Sequence, residues 1–301
     1  MNNTLLFGNG INRLSDKNIS WKDLLSSIKH PNHFVDDKSP NTMVYERIII
    51  DKHDSGDLLK NEYKTKHKIA ELLSNTEAND IYTDLYNLNF QNYITTNYDY
   101  AFIDSILDLD EVLTPIHEYS SEDVYSIRRR KRISNTQERT KNIWQIHGEI
   151  RKPATIMLGL DHYCGSIGKI SDYIKGNYRY REHDNDVVEK SIEDKLLDKT
   201  HYTDSSWVEL FFNTNIHIIG FDLDYSEIDL WWILNKRSRM MRSSKLTGKI
   251  KNEVIYHCSD ISDEKKGIMS SMDIKVNMIK LKEKNNYHSY YDQLKLQFKK
   301  I

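Results

Sequence analysis

The sequence predicts an α/β fold with a largely parallel sheet, on two observations. Short apolar segments recur along the chain, and most end in Gly, Asn, Asp or His. Segments of helical spacing lie between them, the rhythm of strands joined by crossover helices. In such sheets ligands bind outside the carboxyl ends of the strands. The polar residues that could carry chemistry collect at those ends.

The elements follow in order. Residues 4–7 (TLLF) form a first apolar segment, stopped by Gly8. After the glycine loop, Ser20 and Asp23 read as a capping box, and Leu24, Leu25 and Ile28 supply an apolar helical face. Residues 31–88 read as a helical insert, with helix-compatible spacing at 43–50, 66–73 and 80–88. Residues 90–95 predict a second strand and 101–107 a helix. Further strands are predicted at 143–146, 155–158, 216–219, 253–256 and 276–281. Polar insertions span about 118–141 and 165–206. The first holds RRRKR (128–132), read as an exposed loop or helix, and the second a helical piece at 187–197. No repeat or Gly/Ser-rich linker appears, so one domain over 1–301 is the simplest organisation.

Composition narrows the class. An aromatic content of 11%, with 19 Tyr and 5 Trp, argues against disorder despite 29% charged residues. A net charge of -2 gives no global basic excess of the kind an obligate nucleic-acid binder shows. Cys164 and Cys258 are the only cysteines, too few for a four-thiolate zinc site or a disulfide framework. Two lone thiols fit a reducing compartment. No basic region followed by an apolar stretch opens the chain, and no apolar run approaches the roughly 20 residues of a membrane helix. A soluble cytoplasmic protein with no membrane partner is therefore expected.

Four segments could carry chemistry. In LLFGNGINRLS (5–15), Gly8 and Gly10 allow a sharp turn and close approach of backbone to a phosphate. Arg13 stands where the third glycine of a dinucleotide fingerprint would fall, so a ligand-free turn is the other reading. In TTNYD (95–99), Thr96, Asn97 and Asp99 can orient one another and a bound sugar or amide, or simply cap the following helix. In IHGE (146–149), His147 can face a cleft and move protons near neutral pH, or be structural. In IIGFDLDYSEIDL (218–230), Gly220 again permits close approach. Asp222, Asp224 and Asp229 could form a cation site, or combine ribose contacts with helix capping. Trp231 and Trp232 read as helix packing.

Taken together and in order, these segments resemble the sirtuin-like family, in particular its bacterial defence-associated branch that hydrolyses NAD. The matching residues are Gly8 and Gly10, Asn97 and Asp99, His147, and Gly220 with Asp222. The resemblance implies a Rossmann-like domain without a zinc module. It implies Gly8, Gly10, Asn12, Thr96, Asp99, Gly220 and Asp222 as NAD-binding residues, and Asn97 and His147 as catalytic ones. Asn97 would position the ribose or the attacking water. His147 would contact the ribose hydroxyls and accept a proton, and Asp99 would orient Asn97 or the nicotinamide amide. NAD enters as substrate, and no metal is expected because the leaving group is already cationic.

The departures from deacylating sirtuins are specific. Asn9, Asn12 and Arg13 replace the deacylase loop, Thr96 stands before the catalytic Asn where those enzymes have Gln, and the zinc cysteines are missing. These point away from peptide deacylation and leave NAD cleavage standing. The resemblance implies NAD depletion in anti-phage defence by abortive infection. It also implies control by homo-oligomerisation or by a separate activating protein such as an ATPase, with nucleic acid involved only indirectly. Two other classes remain: a catalytically silent module binding NAD or ADP-ribose, and a subunit of a nucleic-acid-associated complex that uses RRRKR.

Overall fold

The computed structural model describes residues 1–15, 18–29, 36, 39–51, 57–107, 112–119, 124–135, 140–182, 185–198, 202, 205–281, 283 and 286–300. Strand β1 (Asn3–Phe7) opens the chain and is followed by a 3-10 turn at Asn12–Leu14. Four helices come next: α1 (Trp21–Ile28), α2 (Asn41–Asp51), α3 (Leu58–Leu73) and α4 (Asp80–Tyr86). Then follow β2 (Asn92–Thr95), α5 (Ala101–Leu107), β3 (Val112–Tyr119), β4 (Arg130–Asn135) and β5 (Thr140–Gln145). Helix α6 (Leu160–Lys175) leads to the hairpin β6 (Arg179–Glu182) and β7 (Asn185–Val188), then α7 (Ile192–Asp198) and α8 (Trp207–Asn213). The last third alternates: β8 (Asn215–Ile219), α9 (Ile228–Met241), β9 (Val254–Cys258), α10 (Asp263–Ser271), β10 (Ile274–Met278) and α11 (Tyr287–Phe298).

Eight strands form one sheet in the order β10-β9-β8-β1-β2-β5-β4-β3. Pairing is parallel from β10 to β5 and antiparallel where β4 and β3 extend the edge. The predicted α/β, Rossmann-like class is the one observed. Both faces of the parallel part are covered, which is why its strands are apolar on successive residues rather than alternately. Leu6, Ile94, Trp144 and Ile218 face one side, against α6, α8 and α9. Leu5, Phe7, Tyr93, Ile143 and Ile219 face the other, against α4, α5 and α11. Burying such a side chain contributes roughly 1.5–3 kcal/mol. A third apolar cluster joins α1, α2 and α3 to Tyr98, Ile156 and Leu158, and so seats these helices over the carboxyl end of the sheet. Ser20 caps α1 as its sequence predicts, accepting from the Asp23 N–H at 3.2 Å.

Three sequence expectations are corrected. Residues 155–158 form no strand. Pro153–Thr155 is a 3-10 turn, and the extended chain beyond it returns to the site, with the Met157 N–H on the His147 carbonyl at 2.9 Å. The RRRKR segment is not an exposed loop or helix: Arg128 and Arg129 lie in a loop that leads into β4, Arg130, Lys131 and Arg132 belong to that strand, and Arg128, Arg129 and Lys131 are buried. Lys131 Nζ lies 2.6 Å from a carboxylate oxygen of Glu149, so the lysine's charge is met inside the protein. Within 187–197, residues 187 and 188 belong to strand β7, and helix starts only at Ile192.

Candidate active site

The carboxyl ends of β1, β2, β5, β8 and β9 open on one cavity of about 1150 Å³. Its walls include Gly10, Thr96, Asn97, Asp99, His147 and Gly220. The sheet explains this convergence. Parallel neighbours end at the same level, so residues distant in sequence arrive side by side. The volume exceeds the roughly 300–1,000 Å³ of small-ligand sites. Trp21, Tyr98, Tyr256, Tyr287, Tyr290 and Tyr291 add aromatic surface to it.

Asn97 follows β2 and is buried. Its amide Nδ2 donates to the Gly8 carbonyl and to the Tyr82 hydroxyl, each at 3.4 Å. Gly8 thus contributes a carbonyl to the placement of Asn97 and is not itself among the cavity walls. Asn12 also lies behind the wall, buried, where its Nδ2 donates to Asp99 Oδ2 at 2.8 Å and to Asn9 Oδ1 at 3.0 Å. Tyr82 Oη donates to Asn12 Oδ1 at 2.6 Å. The route from Asp99 to Asn97 therefore runs through Asn12 and Tyr82. Burial pushes the Asp99 carboxyl up, opposed by the Ala101 N–H and the Asn12 amide.

His147 follows β5. Nε2 lies 3.1 Å from Asp229 Oδ2, and Nδ1 lies 3.5 Å from Glu227 Oε2. Burial alone would push this imidazole down; the Asp229 and Glu227 carboxylates outweigh it and raise it. Glu227 is pushed up to about 7, mainly by burial, with Asp229 adding to the rise and His147 opposing it. Tyr163 Oη donates to Glu227 Oε2 at 3.1 Å, and Ser166 Oγ donates to Asp229 Oδ2 at 3.2 Å. Ligand atoms of His147, Glu227 and Asp229 all lie within 4.8 Å of one another. Their mutual and tyrosine and serine contacts already account for the cluster as a hydrogen-bonded unit.

Two predicted residues sit differently. Asp222 is at the rim, its side chain 85% exposed and 3.0 Å from Lys265 Nζ. Asp224 is taken up locally, accepting from the Ser226 N–H at 2.8 Å. Glu227 was passed over in the sequence, although it lies between Asp224 and Asp229. The only signal for it was the run of acids after Gly220.

Residues 91–198 match a family model described as a SIR2-like domain. The match supports a sirtuin-like family. It takes in Asn97, Asp99 and His147 and excludes the glycines after β1 and β8. A SIR2-like domain fits NAD-related activity. No curated protein matches the chain. Among the described residues no helix is long and apolar enough to cross a membrane.

Proposed function

We propose that the protein hydrolyses NAD+ at the nicotinamide–ribose bond, releasing nicotinamide and ADP-ribose. One observation carries this reading: the Asn97 amide and the His147 imidazole, from the ends of neighbouring strands, line the same cavity. The SIR2-like match covers both. A large cavity whose walls mix polar groups with aromatic rings suits a dinucleotide, and Gly10 in its lining lets the backbone approach the ligand closely. Bond cleavage leaves a ribosyl cation, which an amide oxygen and buried carboxylates stabilise electrostatically. Uncontrolled hydrolysis would exhaust the cell's NAD+. The activity therefore suits abortive infection, switched on by self-assembly or by a separate partner such as an ATPase.

The test is incubation of the purified chain with NAD+ over a range of protein concentrations, with nicotinamide measured. Release of nicotinamide is expected, lost in Asn97→Ala and His147→Ala proteins that keep their near-UV dichroism. Full activity in both variants would sink the assignment. Calorimetric binding of NAD+ with no nicotinamide from any protein concentration would favour a silent binding module.

A further inference from the structure

His147 has both ring nitrogens turned toward carboxylates, Nε2 to Asp229 and Nδ1 to Glu227. The two carboxylates raise the imidazole and favour its charged form, which makes it a poor acceptor for a substrate proton. Of the two acids, Asp229 is wholly buried and is held by Ser166 and by the Leu230 N–H. Glu227 is the one that reaches the cavity, alongside Asn97 and Tyr98.

We propose that Glu227 is the catalytic base that activates water in this site, and that Asp229 is a positioning residue acting through His147. The inference rests on the NAD+-hydrolase reading and deepens it. The water oxygen bonds to the ribose carbon as the nicotinamide–ribose bond breaks. The bonding electron pair leaves with nicotinamide and neutralises its ring nitrogen. The proton lost by water passes to a Glu227 oxygen and then to solvent. His147, held charged between the two acids, keeps Glu227 ionised enough to accept it.

The groups that face Glu227 are His147 at the end of β5, Tyr163 on α6, Tyr98 after β2, and Asp224 and Asp229 on its own segment. Among these, burial and the acids raise its carboxyl toward neutrality, where a base is most effective. Activity should accordingly rise with pH through about 7.

The experiment compares the full chain with Glu227→Gln and Asn97→Ala, measuring nicotinamide release across about pH 5.5 to 9. Azide is added in parallel, because it is a nucleophile with no proton to lose. Glu227→Gln should bind NAD+ as wild type does by calorimetry, lose about 100-fold or more in kcat, and lose the pH-dependent limb. Azide should restore turnover in Glu227→Gln and not in Asn97→Ala. Glu227→Asp, which keeps the carboxylate, should retain the limb at reduced kcat and serves if the glutamine variant does not fold. A Glu227→Gln protein with wild-type kcat, or with the limb intact, overturns the role of Glu227 and leaves NAD+ hydrolysis standing. A wild-type chain that releases no nicotinamide removes both together.

Discussion

The Gly10 N–H donates to the Gly220 carbonyl oxygen at 2.7 Å, tying the loop after β1 to the loop after β8. A Cβ on Gly10 would come within 2.6 Å of that oxygen and 2.8 Å of its carbon. These are backbone atoms and cannot swing aside. Gly220 itself has φ +55°, and a Cβ there would meet the Tyr291 hydroxyl at 2.5 Å. Gly10→Ala should therefore part the two loops. It should cost about 1–3 kcal/mol in chemical denaturation and weaken NAD+ binding measured by calorimetry. Unchanged affinity in a destabilised protein would mean that this loop is structural only.

The parallel half of the sheet was legible because each strand is a short apolar run stopped by a residue that turns the chain. Residues 4–7 and 216–219 show this, ending at Gly8 and Gly220. The edge was not legible. RRRKR reads as solvated charge, since the partner that neutralises Lys131 is Glu149, beyond β5. Arg129 is buried beside the same carboxylate, at 3.9 Å. Residues 155–158 misled for the opposite reason: an apolar run can be a strand or a buried connection, and only neighbours decide. In the candidate site, the positions of Asn97 and His147 just past strand ends, on one cavity, were legible from the apolar runs that precede them. The joint burial of Glu227 and Asp229 against His147 arises from folding α9 onto the end of β5, and sequence spacing carries no trace of it.

Tyr82 holds Asn97 from behind the cavity wall. Its hydroxyl donates to Asn12 Oδ1 at 2.6 Å and accepts from Asn97 Nδ2 at 3.4 Å, and the ring is fully buried. Tyr82→Phe keeps the ring and its packing on Phe7 and Phe102. It leaves Asn12 and Asn97 each short of one partner, at a cost of about 1–3 kcal/mol. Because Tyr82 is not a cavity wall, KM for NAD+ should hold while kcat falls about tenfold, as the Asn97 amide loses its fixed orientation. Steady-state nicotinamide release separates the two. A raised KM with unchanged kcat would place Tyr82 in ligand binding instead.

His217 Nδ1 and His257 Nε2 lie 3.1 Å apart with their rings stacked, and Phe298 of α11 packs edge-on to both. Asn277 Nδ2 donates to His257 Nδ1 at 2.9 Å, so His257 carries its proton on Nε2 and donates it to His217. A proton added to either acceptor nitrogen would face a donor. Burial pushes His217 down to about 4. Burial, with His217 beside it, pushes His257 down to about 3. The unfolded chain would protonate both near pH 6.5, while the folded chain stays neutral. Below pH 6.5 the unfolded state thus binds more protons, and stability falls as pH falls until the folded values are reached. Each histidine contributes a slope of up to about 1.4 kcal/mol per pH unit in that window. Denaturation of the wild type between pH 7 and 4.5 should show this loss, and His217→Phe, an aromatic replacement among Phe90, Phe298 and His257, should flatten it. Tyr290 of α11 donates to the His257 carbonyl at 2.7 Å and also lines the cavity. Acid that strains the histidine pair should therefore weaken NAD+ binding before the chain unfolds. Equal slopes for wild type and His217→Phe would show that the pair is not what acid attacks.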